Sequence, residues 1–127
     1  MANLLIIDDE PLAAATLTAL LQREGHQAAW AQTAGAAMDH LRHVSPDLIL
    51  LDLTMPRIDG LDLLDALSLE PQYAHLRVAV FSGRDDADSI NAARSLGATD
   101  YILKGLSWDE TYQRIRACLP GNPSDFV

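Results

Sequence analysis

Along the first 119 residues, short uninterrupted apolar runs alternate with longer stretches in which apolar residues recur every three or four positions. The runs Asn3–Ile7, Gln27–Ala31, Leu48–Leu51, Arg77–Phe81 and Thr99–Leu103 read as strands. The stretches between them read as helices. The first opens with Pro11 in its first turn and closes at Gly25, with Leu17, Leu20 and Leu21 spaced for one face. The second spans about Thr33 to His43, and the third starts near Asp59-Gly60 and carries Leu61, Leu64 and Leu67. The fourth carries Ile90 and Ala93 and ends at Gly97. Ser107 and Glu110 form a capping box that opens the fifth, whose stripe is Trp108, Tyr112, Ile115 and Leu119.

Strict strand–helix alternation with short connections implies parallel strands joined by right-handed crossovers, with helices on both faces of one sheet. The unbroken runs LLII, LILL and VAVF suit strands buried on both faces, whereas QAAWA and TDYIL are mixed and suit edges. The expected architecture is α/β: a flavodoxin-like (βα)5 three-layer sandwich with a parallel five-stranded sheet of order 2-1-3-4-5. Ligands of such sheets bind beyond the carboxyl ends of the strands, at the switch between strands 1 and 3. The chain of 127 residues is long enough for one domain, expected over residues 1–119, with 120–127 as a C-terminal tail or linker.

Composition narrows the partners. A net charge of −9, from 18 acids and 9 bases, argues against direct contact with nucleic acid or an anionic membrane. There is no apolar run of membrane-spanning length and no signal-peptide pattern, so the expected location is cytoplasmic. The single cysteine, Cys118, excludes an internal disulfide and a multi-cysteine metal site, and its helical setting suits a buried structural thiol. Eight of the nine bases are arginines, which leaves Lys104 as the one lysine.

The candidate chemistry lies where strands end. Asp8 and Asp9 follow the first strand, Asp52 the third, Ser82 the fourth and Lys104 the fifth. Three carboxylates brought to one rim repel one another unless a cation neutralises them, and an all-oxygen set without His or Cys points to Mg2+ or a similar hard ion. Mg2+ is commonly shared with a phosphate, so a metal with the Ser82 hydroxyl and the Lys104 ammonium describes a phosphoryl site. Asp52, on the central strand, is the candidate nucleophile, as in aspartyl-phosphate chemistry, and Asp8 and Asp9 hold the ion.

The segments LLIIDDEP, PDLILLDLTMPRIDGLDLL, VAVFSGRDD and GATDYILKG, taken as a set in this order and spacing, resemble the response-regulator receiver domain of two-component signalling over nearly the whole chain. The resemblance implies that Asp52 accepts a phosphoryl group from a histidine kinase or histidine phosphotransfer protein. Asp9 would ligate Mg2+ with Asp8 assisting, and the Thr54 backbone carbonyl would complete the protein ligands. Ser82 and Lys104 would bind phosphoryl oxygens. Ser82 and Tyr101 would form a switch read out on the face of helix 4, strand 5 and helix 5, to a target protein, an output domain or a second copy in a homodimer. Family members commonly carry proline after the active-site lysine; here Gly105 stands there and gives the loop more freedom.

Plainer structural roles suit several other residues. Asp59 with Gly60 reads as a turn and a helix cap, and Asp85, Asp86 and Asp88 complement a helix dipole. His40 and His43 lack a third metal ligand, and Trp30 and Trp108 read as packing residues. On these residues the chain is a phosphoryl-accepting signalling domain rather than an enzyme acting on other substrates. Two alternatives are a phosphorylation-independent pseudo-receiver and a Mg2+-dependent aspartyl-phosphate phosphohydrolase; against the latter, Thr54 stands where a second Asp would serve as general acid. A flavin carrier shares the fold class, but acids after the first strand would repel its phosphate.

Overall fold

The structure, a computed structural model, describes residues 1–120, so the expected tail lies outside the described residues except for Pro120. Ten elements alternate: β1 (Asn3–Ile7), α1 (Pro11–Arg23), β2 (Gln27–Ala31), α2 (Ala34–Leu41), β3 (Leu48–Leu51), α3 (Gly60–Leu69), β4 (Val78–Ser82), α4 (Ala87–Ser95), β5 (Asp100–Leu103) and α5 (Trp108–Ala117). All strand pairs are parallel and the sheet order is β2-β1-β3-β4-β5, as the apolar pattern predicts.

The period-two geometry of the strands divides the core into two layers. Leu5, Ile7, Ile49, Leu51, Val78 and Val80 pack with Ala37, Leu41, Leu63, Leu64, Leu67 and Ala93, so α2, α3 and α4 cover one face. Leu4, Ile6, Leu48, Leu50, Ala79 and Ile102 pack with Ala14, Leu17, Leu21 and Ile115, which places α1 and α5 on the other. Cys118 belongs to this second layer and is buried. No helix among the described residues is long and apolar enough to cross a membrane.

The boundaries differ from the sequence expectation in small ways with clear causes. β4 begins at Val78 rather than Arg77, and Ser82 is its last residue instead of following it. Arg77 still accepts from the Ile49 N–H, and its guanidinium turns away to the carbonyls of Cys118 and Leu119. Thr33 is a cap rather than the first helical residue, because its hydroxyl accepts the Ala36 N–H, whereas Ser107 caps α5 as its capping box predicts. α5 ends at Ala117, so Leu119 continues its stripe only as a packed residue beyond the helix. β5 is an edge strand, yet Asp100, Tyr101 and Ile102 are all buried. Its polar member is covered by Arg114, which donates to both Asp100 oxygens at 3.0 and 2.6 Å.

Candidate functional site

β1 and β3 are neighbours in register, Ile7 opposite Leu51, so the residues that follow them emerge side by side. Asp8 and Asp52 are 4% and 7% exposed, and Asp9 is half-buried beside them. One carboxylate oxygen from each of the three lies within 4.8 Å of the others. Glu10, the third acid of the opening run, does something else and caps α1, accepting from the Leu12 N–H at 3.1 Å.

Lys104, after β5, reaches across the rim. Its ammonium lies 3.0 Å from Asp8 Oδ2 and 3.4 Å from Asp52 Oδ2. The remaining oxygens are held by backbone donors: the Glu10 N–H donates to Asp8 Oδ1 at 2.9 Å, and the Thr54 N–H to Asp52 Oδ1 at 3.3 Å. Burial raises the Asp52 pKa above the ordinary carboxylate value; the Lys104 charge and the Thr54 amide oppose this without cancelling it, and the Asp8 charge adds to it. Burial alone would lower the Lys104 pKa, but its hydrogen bond to Asp8 and the charges of Asp52 and Asp8 carry it above the usual value.

The donor set is all oxygen, partly dehydrated and crowded with negative charge, so it fits a hard divalent cation. Asp8, Asp9 and Asp52 are brought together as the sequence predicts. Ser82 is fully buried at the end of β4, and its hydroxyl accepts from the Arg84 N–H at 3.2 Å. Tyr101 is 5% exposed, with its ring turned inward and its hydroxyl donating to the Arg84 carbonyl at 2.8 Å. Ser82 and Tyr101 therefore meet through the main chain of Arg84.

The Arg84 side chain makes contacts that the sequence does not announce. Its guanidinium donates to Asp59 Oδ2 at 2.9 Å, to the Leu53 carbonyl at 3.2 Å and to the Thr54 hydroxyl at 3.1 Å. Asp59 caps α3 as expected, accepting from the Leu61 N–H, and at the same time ties the loop after β4 to the loop after β3. Burial pushes the Asp59 carboxyl up, but the hydrogen bonds from Arg84 and Leu61 and the Arg84 charge together hold it below the ordinary range. Trp30, a packing residue by its sequence context, also reaches the rim, where its indole N–H donates to the Asp8 carbonyl at 2.7 Å. A short-range pattern could not reveal either contact, since the partners are 25 and 22 residues apart.

Gly60 has a close-packing role. A Cβ built there would lie 2.6 Å from both the Asp52 carbonyl oxygen and the Leu53 Cα. The start of α3 thus packs directly onto the backbone that carries Asp52. Gly105 adopts φ +103°, a conformation closed to proline, and there is no cis peptide among the described residues. The loop after Lys104 therefore takes a course that a proline at this position could not.

Residues 4–116 match the family model of the response regulator receiver domain. The chain is 30% identical over 121 residues to protein PilH of Pseudomonas aeruginosa, a match that covers 95% of this chain and all of PilH. It is 34% identical over 122 residues to the transcriptional regulatory protein KdpE of Mycobacterium tuberculosis, covering 96% of this chain but 53% of KdpE. The chain therefore spans the full length of one relative and about half of the other. The chemotaxis response regulator CheY4 of Vibrio cholerae has the same fold, with a TM-score of 0.85 at 20% identity over 94% of this chain and 99% of that one.

Proposed function

The chain belongs to the response regulator receiver domain family, and on that premise we propose that it accepts a phosphoryl group on Asp52 and uses it to control partner binding. The observation that carries this reading is the meeting of Asp8, Asp9, Asp52 and Lys104 at one rim. In the transfer, a carboxylate oxygen of Asp52 bonds to the phosphorus of a phosphohistidine on a histidine kinase or phosphotransfer protein. The phosphorus–nitrogen bond breaks and its electron pair stays on the imidazole. Asp8, Asp9 and Asp52, with the Thr54 carbonyl, would hold Mg2+, which when bound supplies positive charge beside the phosphoryl oxygens.

The remaining work falls to the chain itself. Lys104, 3.4 Å from Asp52, opposes the effect of burial on that carboxylate, and it exchanges carboxylate for phosphoryl oxygen as charge builds there. Ser82 is the hydroxyl available to a further phosphoryl oxygen once it releases the Arg84 amide. Such a shift moves the carbonyl on which Tyr101 rests, so the state of Asp52 is transmitted to the face of α4, β5 and α5. The receiver unit is residues 1–119, and the output lies in a separate target protein, a second copy or a further domain.

Incubation with acetyl phosphate, with and without Mg2+, followed by intact-mass measurement tests the reading. The expected result is one Mg2+-dependent phosphoryl adduct that Asp52→Ala loses. No adduct on a protein that still binds Mg2+ would favour the pseudo-receiver, and sustained phosphate release from a phosphomonoester would favour the phosphohydrolase.

A further inference from the structure

β2 contributes no acid to the rim, yet it holds the loop that carries the acids. The Asp8 N–H donates to the Ala31 carbonyl at 3.2 Å, the Trp30 indole N–H donates to the Asp8 carbonyl at 2.7 Å, and Gln32 Nε2 lies 3.5 Å from the Asp9 carbonyl. The Asp8 carboxylate is engaged as well, by Glu10 and Lys104. By contrast, no hydrogen bond or ion pair within the described residues fixes the Asp9 carboxylate. Its position is inherited from the peptide that precedes it. That peptide is a rigid plane, so a short hydrogen bond to its oxygen sets both the plane and the point from which the Asp9 side chain departs.

We propose that Trp30 is a positioning residue for the acidic pair: its indole N–H clamps the Asp8–Asp9 peptide so that Asp9 presents an oxygen beside those of Asp8 and Asp52. The inference rests on reading these three carboxylates as a divalent-cation site. Groups that orient metal ligands from outside typically change affinity by roughly tenfold or more when removed. Trp30 is 39% exposed, so phenylalanine at this position deletes the donor and leaves the core intact.

Calorimetric Mg2+ titration of the full chain, wild type against Trp30→Phe, tests the clamp, with the unfolding midpoint of each measured in EDTA. The clamp predicts a dissociation constant raised about tenfold with an unchanged metal-free midpoint. An unchanged dissociation constant overturns the clamp, whatever happens to the midpoint. A wild-type protein that takes up no Mg2+ overturns the cation site and the clamp with it. The chain has two tryptophans, so Trp108→Phe leaves Trp30 as the sole indole. Its emission must then change along the calorimetric Mg2+ isotherm, and an indole silent to Mg2+ would also overturn the proposal.

Discussion

At Asp52 the environment is set by residues of two kinds, those that touch the carboxylate and those that leave it no room to move. Gly60 is of the second kind. Gly60→Ala drives a methyl to 2.6 Å from backbone atoms of Asp52 and Leu53 that have no freedom to retreat. We expect a loss of about 1–3 kcal/mol in urea unfolding, together with slower phosphorylation; wild-type values for both would mean that α3 can shift freely. Arg84 and Thr54 lie beside the loop that carries Asp52, and the guanidinium covers the Thr54 hydroxyl and the Leu53 carbonyl. Arg84→Ala and Thr54→Ala should open that edge to water and shorten the life of the phosphorylated protein several-fold, measured as decay of the adduct mass. Unchanged decay in both would remove these residues from the hydrolytic step. Asp8, Asp9, Asp52 and Lys104 were legible in the sequence because each lies directly beyond an apolar run, where strand geometry leaves little choice of position. The Arg84–Asp59 tie was not, because an acid before Gly60 has a sufficient local reason to be there as a cap.

For whole elements the sequence was nearly transparent, and the reason is the burial of β1, β3 and β4 on both faces. A strand with no solvent face must be apolar throughout, so its limits are visible as the limits of the run. β5 was less legible: Asp100 suits the open side of an edge strand, but Arg114, one α-helix later, lets it be buried. The connection between β5 and α5 carries Gly105, where the resemblance leads one to expect proline. Gly105 lies at φ +103°, so Gly105→Ala should cost about 1 kcal/mol, and Gly105→Pro more, because its ring holds φ near the opposite sign. Restoring the family's common proline is thus expected to destabilise this protein. A Gly105→Pro variant as stable as wild type in urea would show that the loop can adopt the other course at no cost.

On the scale of the whole molecule, the end of the sheet opposite the acids carries its own pH dependence. His26, between α1 and β2, accepts the Ala2 N–H on Nδ1 at 3.0 Å and pairs through Nε2 with the Tyr112 hydroxyl of α5 at 2.8 Å. Burial, aided by the N-terminal ammonium, lowers its pKa below 6.5, so the folded state binds its proton less readily than the unfolded chain. This contribution to stability is complete above the unfolded pKa and is lost as pH falls from 6.5 through the lowered folded value. The unfolding midpoint should fall between about pH 7.5 and 5.5, and His26→Gln should lose part of that fall. An identical slope in the variant would assign the dependence elsewhere. At the acidic end, Lys104 has a different meaning. It is a counter-ion carried on a tether, so its local concentration is set by the fold rather than by the solution. A cation entering there would compete with a part of the protein for the Asp8 and Asp52 carboxylates, so its loading would meet a threshold written into the fold. Were that cation to leave, the ammonium would return without waiting for diffusion, and the pocket would reset itself.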